Sequence, residues 1–336
     1  MMSDSEQYLI PGFTTQSGVT FDAHITYKTY GSLSPAKDNV VLMPTFYGGR
    51  HADTEYFMAA GRVIDPGKYF VVIPNMFCNG ASSSPSNTAP PIGRGAFPEI
   101  SLYDNVTAQH GLITEHLGIE RLRLVVGFSM GGMQTYQWGA LHADMVDAIA
   151  PICASAKTSP HNQLMIEGPT SALRADAAYN DGWYETPPMK GLLAFGRVYT
   201  GWLFSQRFFR DELYKEIGLH SVEDAVLLTQ RYFLACDAND LLAMARTWYL
   251  GDISANPVFK GDFEAALQAI RCPSIVMPGE TDLYFRVPDN KLEVAHMPNV
   301  ELRPIPSAWG HAAGFGMSAR DNDFIDKALR QLLNES

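Results

Sequence analysis

The feature that most constrains this chain of 336 residues is one junction, Leu124-Val125-Val126-Gly127-Phe128-Ser129-Met130-Gly131-Gly132. An apolar, β-branched run stops at Gly-x-Ser-x-Gly-Gly, and a helix-compatible stretch, residues 133–140, follows directly. Strand, sharp turn and helix in immediate succession form the context in which a serine hydroxyl is raised above the top of a parallel sheet. So tight a turn excludes bulky side chains two residues before and two after the serine, and Gly127 and Gly131 meet that demand. The hydroxyl would then lie beside the Met130 backbone N–H at a helix N-terminus. The pattern marks Ser129 as a candidate nucleophile.

The rest of the chain agrees with a parallel sheet. Residues 8–31 read as an opening hairpin whose second strand, 21–30, ends at Gly31. Short apolar runs at 40–43, 69–74 and 145–152 read as buried strands, with helices expected over 55–63 and 101–117. Strands return at 272–279 and 300–305, and residues 321–333 form a closing amphipathic helix. The fold class is therefore α/β, with a mostly parallel central sheet flanked by helices. The alternation breaks between about 157 and 265, where the chain is helical and rich in aromatics, among them Phe195, Tyr199, Trp202 and Phe208. This predicts a core of residues 1–157 and 266–336 with an inserted helical lid, 158–265. Ser221 is placed to cap one lid helix and Gly251 to close another, 240–250. Most lid aromatics are expected to form the lid's own core, and a minority to line an apolar pocket or a subunit interface.

Composition narrows the partners. A formal net charge of −11 speaks against nucleic acid and anionic membrane surfaces. Cys78, Cys153, Cys236 and Cys272 are scattered and read as reduced thiols, which suits the cytoplasm. The acidic start carries no apolar segment of the kind a signal peptide needs, and no stretch approaches the length of a membrane span.

A serine hydroxyl needs a base within hydrogen-bond reach. In a sheet of this kind acid and base follow the serine in the order Ser, Asp/Glu, His. Asp282 lies just beyond the 272–279 strand, with Glu280 and Asp289 as rivals, and His311 follows the 300–305 strand. Both loops then lie at the carboxyl ends of the strands, where ligands bind in open α/β sheets. Oxyanion donors are expected from the Met130 N–H and from the loop after the 40–43 strand, Pro44-Thr45-Phe46-Tyr47-Gly48-Gly49, with Phe46 first and Tyr47 second. The chain carries no metal-ligand motif and no nucleotide-binding motif, so neither a metal nor a cofactor is expected.

With these residues in place, the chain resembles the homoserine O-acetyltransferase (MetX-like) family of α/β-hydrolases. The elbow through Gln134, the stretch Asn75 to Thr88, the segment Gly191 to Arg210 and Trp309-Gly310-His311 carry the likeness over nearly the whole chain. The resemblance implies Ser129, Asp282 and His311 as a triad, a helical lid, and a homodimer joined through that lid. Two departures stand out. Family members that acetylate homoserine carry Asp directly after the histidine and an Arg early in the lid; here Ala312 and, by alignment, Thr170 occupy those places, with Arg174 as a possible substitute. Taking a zwitterion into a pocket without charge partners costs several kcal/mol. The expected activity is therefore hydrolysis of short-chain, acetyl-type esters in the esterase branch of that family. The alternative is acyl-CoA-dependent O-acyl transfer, with acetyl-CoA as donor. A purely binding or scaffolding role is disfavoured because all three triad members are present.

Overall fold

β1 (Glu6–Thr14) and β2 (Thr20–Tyr30) pair antiparallel as the opening hairpin. The chain is a computed structural model that describes residues 5–334; residues 1–4, part of the acidic start, lie outside the described residues. β2 pairs antiparallel with β4 (Phe70–Pro74), and from there every neighbour is parallel: β3 (Val40–Leu42), β5 (Leu124–Phe128), β6 (Ile149–Ile152), β7 (Ser274–Val276) and β8 (Val300–Leu302). The order across the sheet is β1-β2-β4-β3-β5-β6-β7-β8. All residues of β3, β5 and β6 are buried, which is why they read as unbroken apolar runs rather than alternating ones. β5 lies at the centre and ends at the elbow, so whatever Ser129 does is done at the middle of the sheet's carboxyl edge.

Helices cover both faces. α1 (Leu102–Gly111) and α2 (Met130–Leu141) precede the insertion. The insertion carries α3 (Pro160–Arg174), α4 (Met189–Leu203), α5 (Gln206–Arg210), α6 (Val222–Leu234) and α7 (Ala238–Tyr249). α8 (Phe263–Gln268), α9 (Val287–Val294) and α10 (Ala319–Leu333) follow. The Ser221 hydroxyl accepts the Asp224 N–H and caps α6 as expected. α10 turns Ile325, Ala328, Leu329 and Leu333 inward at helical spacing.

Several expected boundaries move. The helix expected over 55–63 is a tight turn, His51–Met58, begun by Asp53 accepting the Arg50 N–H. The 101–117 helix ends at Gly111 and widens, with Leu117 N–H donating to Leu112 C=O, before Gly118 takes φ +62°. The strand expected from 145 starts at Ile149; before it only Val146 bridges to Leu122. Gly251 does follow α7, but not as a left-handed cap. A Cβ there would stand 2.3 Å from Met133 Cε and 2.9 Å from Thr158 Oγ1, so close packing excludes a side chain.

The insertion leaves and returns at one place. Thr158 N–H donates to Gly251 C=O, Ile253 N–H donates to Ala156 C=O, and Lys157 bridges Asp252. The chain re-crosses to the core near 253, and α8 packs on α2. The four cysteines are unpaired. Among the described residues no helix is long and apolar enough to cross a membrane.

Candidate active site

Ser129 stands between β5 and α2 at φ +56°, a strained backbone for a residue with a side chain. Its N–H donates to Ile152 C=O at 2.9 Å and its C=O accepts from Met133 N–H at 3.0 Å, so the neighbouring strand and the new helix hold the turn. The glycines are required by contact. A Cβ at Gly127 would lie 2.3 Å from Gly131 C, one at Gly131 2.4 Å from Pro44 O, and one at Gly132 2.5 Å from Ala154 Cβ.

His311 is delivered by the tight turn after β8. Gly310, at φ +68°, donates its N–H to Thr281 Oγ1 at 3.0 Å, and Thr281 Oγ1 donates to Ser307 C=O at 2.8 Å, tying the acid and base loops together. Asp282 is almost wholly buried, its Oδ1 accepting the N–H groups of Tyr284 and Phe285 at 3.0 and 3.1 Å. Its Oδ2 takes the Nδ1–H of His311 at 2.7 Å. That bond leaves Nε2 as acceptor, 2.9 Å from Ser129 Oγ. The structure thus brings Ser129, His311 and Asp282 into one hydrogen-bonded line. Glu280 is exposed, and Asp289 sits in the first turn of α9.

The imidazole is walled by Tyr284 and Phe128, ring centroids 4.3 and 4.6 Å away. Cys153 at the end of β6 places its sulfur within 4.8 Å of the Asp282 and His311 side-chain ligand atoms. Burial first, and the Asp282 charge second, push this thiol well above the ordinary cysteine range, so it stays a neutral neighbour.

The Met130 N–H opens α2 and, like the N–H groups of Phe46 and Tyr47, has no partner among the described residues. All three residues belong to the same corner of the structure, and Phe46 and Tyr47 line the cavity with Ser129. Gln134, quoted in the elbow motif but given no role, secures this corner: its Nε2 donates to Thr45 C=O at 2.9 Å, and its Oε1 accepts from Gln109 Nε2 at 2.7 Å. The side chain is fully buried, and these bonds satisfy its amide.

The cavity above Ser129 and His311 holds about 160 Å³ and is roofed by the lid residues Tyr199, Leu203, Leu228 and Tyr232. Among the described residues no Lys, Arg, Asp or Glu lines it. Thr170 and Ala312, the expected substrate contacts, are not among the residues that line it. Thr170 is buried in α3, its hydroxyl donating to Ile166 C=O at 2.8 Å. Ala312 follows His311 in the turn Gly310–Gly314 and is fully buried in an apolar cluster that includes Phe46, Phe204 and Trp309. Arg174, at the end of α3, is exposed.

A parallel sheet with a serine elbow at its centre and a His–Asp pair on the following loops defines an α/β hydrolase. The family model for the alpha/beta hydrolase fold matches residues 38–315, and the chain belongs to that family. It is 38% identical over 309 residues to an ethyl acetate hydrolase of Pseudomonas veronii, covering 91% of this chain and 88% of that one. It superposes with a TM-score of 0.95 on the crystal structure of an acetylester hydrolase from Corynebacterium glutamicum, at 34% identity over 98% of this chain and 96% of the other. A homoserine O-acetyltransferase of Chlorobaculum tepidum is 30% identical over 338 residues, 93% of this chain and 91% of its own. The chain is an enzyme of the esterase branch of this superfamily, related also to the acetyltransferases.

Proposed function

We propose that the protein hydrolyses small, neutral acetyl-type esters through an acyl-enzyme. The observation that carries this is the cavity over Ser129 and His311: about 160 Å³, apolar, and lined by no charged side chain among the described residues. A cavity of about 150 Å³ holds benzene, so this one takes an ester of about six non-hydrogen atoms, the size of ethyl acetate. Ser129 Oγ attacks the ester carbonyl while His311 Nε2 takes its proton. Asp282 holds the imidazole in the tautomer that can do so and stabilises the imidazolium. The negative oxygen of the tetrahedral intermediate faces the free N–H groups of Met130 and Phe46. His311 returns the proton to the leaving alcohol, and the same base then activates a water that releases the acid. None of these steps calls for a metal or a cofactor.

Kinship with an acetyltransferase favours a second reading, acyl transfer from acetyl-CoA to an alcohol through the same acyl-enzyme. The uncharged cavity weighs against homoserine as that alcohol, because its ammonium and carboxylate would both be desolvated without partners. Ethyl acetate hydrolysis measured beside acetyl-CoA plus homoserine decides between them. Fast hydrolysis with no transfer is expected, and efficient transfer with slow hydrolysis would overturn the assignment.

The quaternary state proposed is a homodimer joined through the lid, where Leu164, Met189, Val222 and Leu227 are exposed apolar residues on α3, α4 and α6. The location proposed is the cytoplasm, from the four unpaired thiols. A monomer mass by light scattering at micromolar concentration would refute the dimer.

A further inference from the structure

One aromatic side chain is shared by the linings of two cavities. Tyr232, near the end of α6, lines the cavity that holds Ser129 and His311, and it also lines a second cavity of about 220 Å³ bounded by Gly48, Arg50, Asn79, Cys236 and Met244. From the core side the ring meets Gly48, which takes φ +72°. A Cβ there would stand 3.1 Å from Tyr232 Cε1, so a side chain at this position would press on the ring. From the lid side Phe233 meets it nearly edge-on, centroids 5.2 Å apart. The phenol oxygen is buried and has no hydrogen-bond partner among the described residues. Packing, not a polar anchor, therefore holds the ring in place.

We propose that Tyr232 is the residue that sets the length of ester this enzyme accepts: its ring closes the catalytic cavity and keeps a substrate chain out of the second one. The proposal rests on the reading of the site as a short-ester hydrolase. The second space has a mixed lining, with Met244 and Ala235 on one hand and Arg50, Asp53, Asp237 and Asp240 on the other. It suits a few added carbons, with a polar chain end better than a long alkyl tail. Each methylene that becomes buried against its apolar part, Met244 and Ala235, is worth at most about a fourfold gain in kcat/KM, from the transfer free energy of a buried CH₂.

The test compares the wild type with Tyr232→Phe and Tyr232→Leu. One substrate series lengthens the alcohol, from ethyl to butyl to hexyl acetate; the other lengthens the acid, from ethyl acetate to ethyl butanoate to ethyl hexanoate. The wild type is expected to lose kcat/KM with length in both. Tyr232→Phe, which keeps the ring, should retain that profile. Tyr232→Leu should raise the ratio of the four-carbon to the two-carbon substrate about tenfold or more in at least one series. Tyr232→Met, read in the same way, serves if the leucine variant does not fold. A folded Leu or Met variant with wild-type ratios in both series overturns the proposal. So does a Tyr232→Phe profile that shifts as far as that of Tyr232→Leu, since the hydroxyl and not the wall would then be responsible. A wild type inactive on ethyl acetate would instead overturn the functional reading beneath it.

Discussion

Glu293 in α9 holds the place where the lid leaves the core, and it should make the stability of the protein depend on pH. Its Oε1 accepts the Ala156 and Lys157 N–H groups at 2.9 and 3.4 Å, and its Oε2 accepts Asn290 Nδ2 at 2.8 Å. The carboxyl is enclosed, and burial pushes its pKa from 4.5 up to about 8, against the pull of those hydrogen bonds. The folded state thus binds the proton more tightly than the unfolded one. Its contribution is fully present below pH 4.5, falls as the pH rises towards 8, and is flat above that. At about 1.4 kcal/mol per pH unit, the interval from pH 5 to pH 8 removes about 3.5 kcal/mol of stability. Asp240, pushed by burial up to about 7, acts with the same sign, and His142, pushed by burial down to about 4, acts with the opposite sign in acid. The difference between wild type and Glu293→Gln isolates the one group, because the amide keeps an acceptor for the Ala156 N–H but cannot ionise. Urea unfolding followed by tryptophan fluorescence at pH 5, 6, 7 and 8 measures it. With a slope of about 3 kcal/mol per molar, the wild-type midpoint should fall by about 1 M more than that of the variant. Parallel midpoint curves would show that Glu293 is ionised throughout and that the burial argument is wrong.

Three further outcomes are expected. Ser129→Ala should fold normally and lose several orders of magnitude in kcat on ethyl acetate; near-native turnover in a folded variant would remove the whole mechanism. Asp282→Asn should lower kcat by about 10⁴ with KM little changed, because the amide presents a donor where His311 Nδ1–H needs an acceptor; a loss under tenfold in steady-state assays would show that the carboxylate is dispensable. Ala312→Asp places a carboxylate in a fully buried apolar cluster and should destabilise the fold by about 3 kcal/mol or more, without conferring homoserine binding. An unchanged melting curve together with new transferase activity would place position 312 in the pocket after all.

The serine elbow was legible in the sequence because everything that makes it is local. A strand, a turn that forbids side chains at Gly127 and Gly131, and a helix start all fall within a few consecutive residues, and each has its own sequence signal. The parallel sheet was legible for a similar reason, since strands buried on both faces are apolar throughout. Chain order then pointed to Asp282 and His311, though what sets Asp282 apart from Glu280 is a turn of the backbone that turns one carboxylate inward and leaves the other in water. Adjacency in the chain singled out Ala312 and alignment singled out Thr170; both are buried, and neither is among the residues that line the cavity.

Other features arise only when distant segments meet. The uncharged cavity of about 160 Å³ exists because α4 and α6 fold back over the elbow. Tyr232 meets Gly48 across more than half the chain, Gln134 fastens the loop at Thr45, and Glu293 grips the lid root at Ala156. The sequence by itself determined the chemistry at the top of β5, since it is written in neighbouring residues. Only the tertiary structure decided which ester fits there, because volume and charge in a cavity belong to side chains that no local pattern relates.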